Sequence, residues 1–378
     1  MKKKDLNFDR STINTEIDHI AELNYEIRNY CRENPLPSND SKEYEGAKNQ
    51  LISRLLRRTG IAAFQGVKRD EGGPFGAMVV DFNTKNGIPD VVGFGTNHVV
   101  PNSDPSAHAE ITAIRDACKL LGRTDLSGLT LVTSCECCPM CLSAATGCKV
   151  DKIYFAATRE DAKKVGFSDD DQYRLMTAGG IEKHAQKVKG DAAAEALNGH
   201  DAVVITNYNS IPHRYYGDYD KADSLDPTDL PIIQAIKKAC KGLAELQSIH
   251  NGVEEKVFHL PHNTILISRD MPHLMSLVTA DWARIGRVRG RNPFNPEDDS
   301  PIKDIKFIAY INDKTETMQI RDKEGNISNV DPDKIWKEIA KPTSIHLSDN
   351  LGHSHRIAFE KWSDLINNPD PKKSMPRY

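Results

Sequence analysis

Long apolar runs are missing from this chain. None approaches the roughly 20 residues that a membrane-spanning helix needs, and no apolar stretch follows the basic start MKKKDLNFDR, so neither a membrane span nor a secretory leader is expected. Charge of one sign is missing too: 50 Lys and Arg face 54 Asp and Glu, for a net charge of −4. A bulk field of that size does not attract nucleic acid or acidic membranes, which leaves only local basic patches for such partners. Cysteines are few and uneven. Of the eight, Cys135, Cys137, Cys138 and Cys141 crowd into one short stretch. A disulfide framework spreads its cysteines through a small secreted chain, whereas a tight cluster near a His suits a metal site in a reducing compartment, so a cytoplasmic protein is expected. What remains is an ordinary globular composition, 38% hydrophobic and 28% charged over 378 residues, with room for about two domains.

Hydrophobic periodicity divides the chain. Ile13, Ile17, Ile20 and Ile27 recur at helical spacing and predict a helix over 11–32. ENPLPSND (33–40) reads as a linker, and Leu51, Leu55, Leu56 and Ile61 mark a second helix. Strands are predicted in 72–82 and 91–99, a helix over 107–121, a strand over 129–134, a helix from 139 and a strand over 152–158. Strands alternating with helices imply an α/β sheet covered by helices on both faces.

The second half carries a faded copy of this pattern. DPSAHAEITAIRDACK (104–119) aligns with DPTDLPIIQAIKKACK (226–241) at 8 of 16 identical positions, and CCPMCLSAATGCKVDKI (137–153) aligns more weakly with PHLMSLVTADWARIGRV (272–288). The copy puts Leu230 and Ile232 opposite His108 and Glu110, and His273 and Ser276 opposite Cys138 and Cys141. A site with one ligand does not hold zinc, so the second half is expected to be a non-catalytic packing partner.

The strongest chemical signal joins His108-Ala109-Glu110 to Cys138-Pro139-Met140-Cys141. Catalytic zinc takes three protein ligands and keeps a fourth position for water, and one imidazole with two thiolates supplies three. This pattern resembles the signature of the zinc deaminases. Thiolate charge at a helix start is favourable by about 0.3–1 kcal/mol. A metal there brings water to a pKa of about 7, and Glu110 is placed to accept that water's proton, deliver it to a ring nitrogen and later help protonate departing ammonia. The competing reading is a closed structural zinc site, with Cys135 or Cys137 as fourth ligand.

With these residues in hand, the stretch from about Gly72 to Asp170 resembles the guanine deaminases of the cytidine-deaminase superfamily, and more loosely the tRNA adenosine deaminases. GGPFGA, Asn97, PSAHAE with TAIR behind it, TSCE with CPMC, and GFSDD (166–170) carry the likeness. The resemblance implies a three-layer α/β/α cytidine-deaminase-like domain that holds one Zn²⁺ per chain through His108, Cys138 and Cys141, with Glu110 as proton shuttle. It implies that Asn97 and the backbone at Ala109 hold the base and that Asp169 engages the substrate amino group. Cys137 departs from the family, which usually has proline there. The end, AFEKWSDLINNPDPKKSMPRY (358–378), resembles the guanine-deaminase tail, which closes over an active site; Tyr378 is the lid candidate.

The expected organisation is therefore a helical extension (1–41), a catalytic zinc deaminase domain (42–185), a degenerate deaminase-like α/β domain (186–355) and a closing tail (356–378). The expected reaction is hydrolytic deamination of a purine, guanine to xanthine and ammonia, by a homodimer or an intramolecular pseudo-dimer. A tRNA or single-stranded nucleic-acid deaminase is the alternative, for which Arg284, Arg287, Arg289 and Arg291 would form the basic patch. A zinc-bearing binding protein without activity is the third reading, which the intact Glu110 disfavours. His353 and His355 read as surface histidines, and a helix N-cap run is the competing reading of Asp169 to Asp171.

Overall fold

The computed structural model describes residues 16–69, 71–175, 185–188, 191–261, 264–285, 308–330, 343–347 and 352–367. In the first half, α1 (Glu16–Glu33) and α2 (Tyr44–Lys68) precede the hairpin β1 (Gly76–Asp81) and β2 (Asp90–Thr96); α3 (Val99–Asn102), α4 (Ala109–Leu121), β3 (Leu129–Cys135), α5 (Pro139–Gly147), β4 (Lys152–Ala157), α6 (Arg159–Lys164) and α7 (Asp170–Leu175) follow. The second half runs through β5 (Ala185–Lys187), α8 (Asp191–Leu197), β6 (Ala202–Tyr208), β7 (Ile211–Gly217), α9 (Pro231–Asn251), β8 (Ile265–Met271), α10 (Leu274–Trp282), β9 (Ile308–Thr315), a small hairpin β10 (Met318–Arg321) and β11 (Ile327–Val330), β12 (Thr343–His346) and α11 (Gly352–Asn367). Every helix and strand expected between residues 16 and 158 is present within a few residues; Ile13 and the rest of 11–15 lie outside the described residues.

The first sheet has apolar residues on both faces because side chains alternate along each strand. Ala77, Val79, Leu131 and Ile153 join the core under α4 and α5, while Met78, Val80, Val132 and Tyr154 join the core under α1 and α2. Helices on both faces make three layers. The helix read as an extension belongs to this core: Ile20, Leu23 and Ile27 are buried, and the Asn24 amide bonds both the N–H and the C=O of Val91 at 2.6 and 3.0 Å. Helix α4 lies very close to β2. A Cβ at Gly93 would stand 2.3 Å from the Ala113 oxygen and one at Gly95 2.5 Å from that of Ala109, so only glycine permits the approach.

The two sheets repeat one plan. Their orders are β12-β4-β3-β1-β2 and β5-β9-β8-β6-β7, each an antiparallel hairpin, an antiparallel neighbour and two parallel strands. The row Ala77, Thr133, Phe155 of the first sheet recurs as Ala202, Ser268, Tyr310 in the second. His108 and Cys138 sit at the N-caps of α4 and α5, and Leu230 and His273 sit at those of α9 and α10. One correction concerns the strand after α10. The alignment put the counterpart of Lys152 and Ile153 at 287 and 288, whereas the strand in that place in the sheet is Ile308–Thr315.

The outermost strands are exchanged. β5, which follows the first-half helices, pairs with β9 of the second sheet, and β12, which follows the second sheet, pairs with β4 of the first. Helix α11 then packs Ala358, Phe359 and Trp362 into the first half with Phe167 and Val67. Residues 343–347 and 352–355, expected in the second domain, thus include a strand of the first sheet and the start of α11, because the exposed edge of β4 offers the free ladder that β12 completes. One continuous core joins α4 and α5 to α9 and α10. Among the described residues no helix is long and apolar enough to cross a membrane.

Candidate active site

Three side chains converge at two helix starts. His108 and Cys138 both have extended backbone (φ −66°, ψ 159° and φ −66°, ψ 164°) and neither side chain caps its own helix, so both are free to turn outward together. Pro139 occupies the first turn of α5, where its missing N–H costs nothing. Cys138 Sγ lies 3.5 Å from His108 Nδ1 and 3.5 Å from Cys141 Sγ, and Cys141 Sγ lies 3.6 Å from His108 Nδ1. A tetrahedral ion with Zn–S near 2.3 Å and Zn–N near 2.0–2.1 Å would space its ligand atoms by about 3.5–3.8 Å, so the donor set and its spacing fit zinc. Burial opposes ionisation of the Cys138 thiol, but Cys141 and the His108 ring outweigh it and hold that thiol well below its usual range.

No fourth donor closes the cluster among the described residues. Cys135 Sγ turns to the Thr158 carbonyl at 3.6 Å, and the Cys137 carbonyl accepts from the Tyr173 hydroxyl at 3.0 Å. The closed structural site is thereby disfavoured. Glu110 stands beside the cluster with Oε2 3.4 Å from Cys141 Sγ, and its other oxygen, Oε1, accepts the Thr133 hydroxyl at 2.9 Å. Burial, then the Cys138 charge, push its carboxyl upward.

An open cleft of about 530 Å³ begins at these groups, lined also by Asn97, Asp169, Phe75, Phe167, Arg159 and Trp282. Asn97 is buried, and its Oδ1 accepts from the N–H groups of Gly73 (3.2 Å) and Val99 (3.3 Å). Asp169 precedes α7, its carbonyl accepting from Gln172 and Tyr173. Burial, then Cys138, push its carboxyl up to about 7, against the pull of Arg159. The Ala109 methyl is wholly buried, so any part it takes is through the main chain. The sequence-predicted residues His108, Glu110, Cys138, Asn97 and Asp169 therefore share one cleft, with Cys141 behind it. Tyr378, Arg287, Arg289 and Arg291 lie outside the described residues; His353 and His355 fall in the first turn of α11.

Sequence reasoning missed Trp282 and Arg159. Trp282 ends α10 in the second half and lies edge-on to the His108 ring, and Arg159 is stacked over the Tyr173 ring at 4.4 Å. No motif marks either. The repeat alignment placed Trp282 on a helix of the copy but gave no reason for that helix to face the other half. It does so because α10 packs on α5 and α7: Thr279 Oγ1 lies against Met140 Sδ at 3.2 Å, and Gln172 donates to Asp281 at 3.0 Å.

Residues 52–157 match the family described as the cytidine and deoxycytidylate deaminase zinc-binding region. A guanine deaminase of Bacillus subtilis is 44% identical over 120 residues, 32% of this chain and 73% of that protein. A tRNA-specific adenosine deaminase of Buchnera aphidicola is 35% identical over 91 residues, 24% of this chain and 52% of that protein, so the likeness spans about half of that relative. Among solved structures, the B. subtilis guanine deaminase is 42% identical, with 32% of this chain and 72% of that one covered and a TM-score of 0.29.

Proposed function

Since this chain belongs to the cytidine and deoxycytidylate deaminase family, we propose that it hydrolytically removes the amino group of a purine base, with guanine and water giving xanthine and ammonia. The observation that carries the reading is Glu110, a buried carboxyl beside an open three-donor cluster and at the floor of a cleft that also holds Asp169. His108, Cys138 and Cys141 would hold one zinc ion, which when bound supplies the Lewis acidity that makes water a nucleophile at neutral pH. Glu110 takes one proton from the attacking water and gives it to the ring nitrogen next to the reacting carbon; it then takes the second proton, from the hydroxyl now on that carbon, and gives it to the amino group, so that the C–N bond breaks, the carbonyl forms and ammonia leaves. Asn97 and the Ala109 main chain hold the base. Asp169 accepts from the exocyclic amino group, a use specific to a base that carries one where guanine does. Phe75, Phe167 and Trp282 form apolar walls suited to a flat ring.

We read the second half as a degenerate copy of the first, so that one chain forms its own pseudo-dimer. The shared sheet order, the repeated strand register and the matched helix starts support this. Leu230 and Ile232 bring no donor, and the copy serves to close the cleft and complete the first sheet. The similarity to tRNA-specific adenosine deaminases keeps a nucleic-acid substrate as the second reading. Ammonia release from free guanine, guanosine, adenine and tRNA, with the native chain and Glu110→Ala, tests both. Turnover of guanine that the substitution abolishes while zinc is retained supports the proposal; turnover of tRNA alone moves the reading to the second, and an active Glu110→Ala removes the role of that carboxyl.

A further inference from the structure

The counterpart of the metal cluster in the second half is filled by a side chain. Carrying the two repeat offsets onto the structure places Tyr219 where Asn97 stands, Pro231 where Ala109 stands and Asp270 where Cys135 stands, and these three line one small cavity with Glu316. That hollow spans about 190 Å³ of space open in part to solvent, against about 530 Å³ for the likewise open first-half cleft. Glu316 comes from the turn between β9 and β10 and is 2% exposed. Its Oε2 accepts the hydroxyl of Ser276, which holds the position of Cys141, and its Oε1 accepts the Ile232 N–H (3.5 Å) in the first turn of α9. The main chain of His273, at the head of α10, donates to it as well. His273, in the position of Cys138, spends Nδ1 on the Met275 N–H (2.9 Å) and is held neutral by burial. The turn itself is pinned, since the Glu316 N–H bonds the Met271 carbonyl (2.8 Å) and the Thr317 N–H bonds the Tyr219 hydroxyl (3.1 Å).

We infer that Glu316 stands in for the metal in the second half: its carboxyl ties the N-termini of α9 and α10 together from the corner in which, by the reading above, zinc ties α4 to α5. The inference rests on that reading for its comparison, but the hydrogen bonds of Glu316 stand without it. Two buried helix starts point N–H groups and partial positive charge at one spot, and a carboxyl satisfies both where an apolar side chain leaves them unpaired. The second half is then braced permanently and needs no ion.

The test separates the two halves. Stripping the native chain with a chelator is expected to raise amide hydrogen exchange at Thr112 and Leu142, near the starts of α4 and α5, and to leave Ile232 and Leu277 protected. In metal-loaded protein, Glu316→Gly is expected to lower the melting temperature by roughly 4–8 °C. Added sodium formate, whose carboxylate fits the space left, restores much of that loss, while equal sodium chloride does not. Glu316→Gln keeps an accepting oxygen and most of the stability. If Glu316→Gly does not fold, the Gln variant and the chelator experiment decide. An unchanged melting temperature in Glu316→Gly, loss of protection at Ile232 and Leu277 on metal removal, or a second equivalent of zinc in the native chain overturns the inference. A native chain that binds no zinc at all defeats the reading of the first half instead, and leaves the formate result to judge Glu316.

Discussion

The Trp282 indole, carried by the second half, meets the His108 imidazole of the first edge-on, with ring centroids 5.2 Å apart. A wall of the cleft therefore comes from a segment that supplies none of the three convergent donors. Aromatic pairs of this kind are worth about 0.5–1.5 kcal/mol. Trp282→Ala should lower kcat/KM by roughly tenfold, mostly through KM, with metal content unchanged and Trp282→Phe intermediate. Steady-state kinetics beside metal analysis checks this, and an unaltered KM would remove Trp282 from substrate binding.

Thr133 fixes one oxygen of Glu110 and leaves the other facing the cluster. Thr133→Val leaves that carboxylate oxygen unpaired in a buried site, at a cost of about 1–3 kcal/mol. The expected result is a fall in kcat of roughly 10- to 100-fold with little change in KM, largely rescued by Thr133→Ser. Equal losses in the Val and Ser variants would point to packing instead.

Arg115 joins the halves through a buried charge network. Its guanidinium reaches Asp104 (3.2 Å) of its own half and Asp226 (3.0 Å) of the other, and donates to Thr228 (2.8 Å) and Ser106 (2.9 Å). Removing one partner of such a pair leaves buried charge uncompensated, at about 3–5 kcal/mol. Arg115→Met should lower the melting temperature by about 4–6 °C; a change of a degree or less would show the network to be dispensable.

Glu316 gives a pH dependence whose sign is fixed. Burial first of all raises its carboxyl from 4.5 to about 7 in the folded chain. The folded state then holds a proton that the unfolded state has released, so this contribution is complete below about 4.5 and is lost as pH rises through about 7. The difference amounts to at most about 3 kcal/mol. Denaturant titrations from acid to neutral pH should show a decline in stability that Glu316→Gln flattens; parallel curves would place the slope elsewhere.

Strand exchange makes the first half incomplete when alone. Residues 1–188 lack β12, which covers the edge of β4, and lack Phe359 and Trp362, which pack with Phe167. That fragment should be insoluble or unfolded by circular dichroism, and co-expression with residues 189–378 should restore a soluble, metal-binding pair. A stable, folded fragment would show the exchange to be inessential.

How much of this was legible beforehand depends on distance along the chain. The helix starts at His108 and Cys138, the spacing of Glu110 and Cys141 and the strands of the first sheet were readable because capping, helical turns and strand alternation act over a few residues. The similar order of strands and helices in the second half was readable for the same reason, as a second run of one local pattern. The mispositioned strand after α10 shows where this ends, because an insertion leaves no period to follow.

Composition and local pattern alone thus determined an α/β chain with a His-Cys-Cys cluster beside a carboxyl and a second, donor-poor half. Tertiary structure decided which half each edge strand joins, that Trp282 faces His108, and that Glu316 takes the corner between α9 and α10. Those contacts join residues far apart in the chain, as in the bond from His346 Nε2 to the Ala156 carbonyl across 190 positions. No local preference encodes such a pairing, which is selected only when the whole core closes and an uncovered strand edge or an unpaired helix start must find a partner.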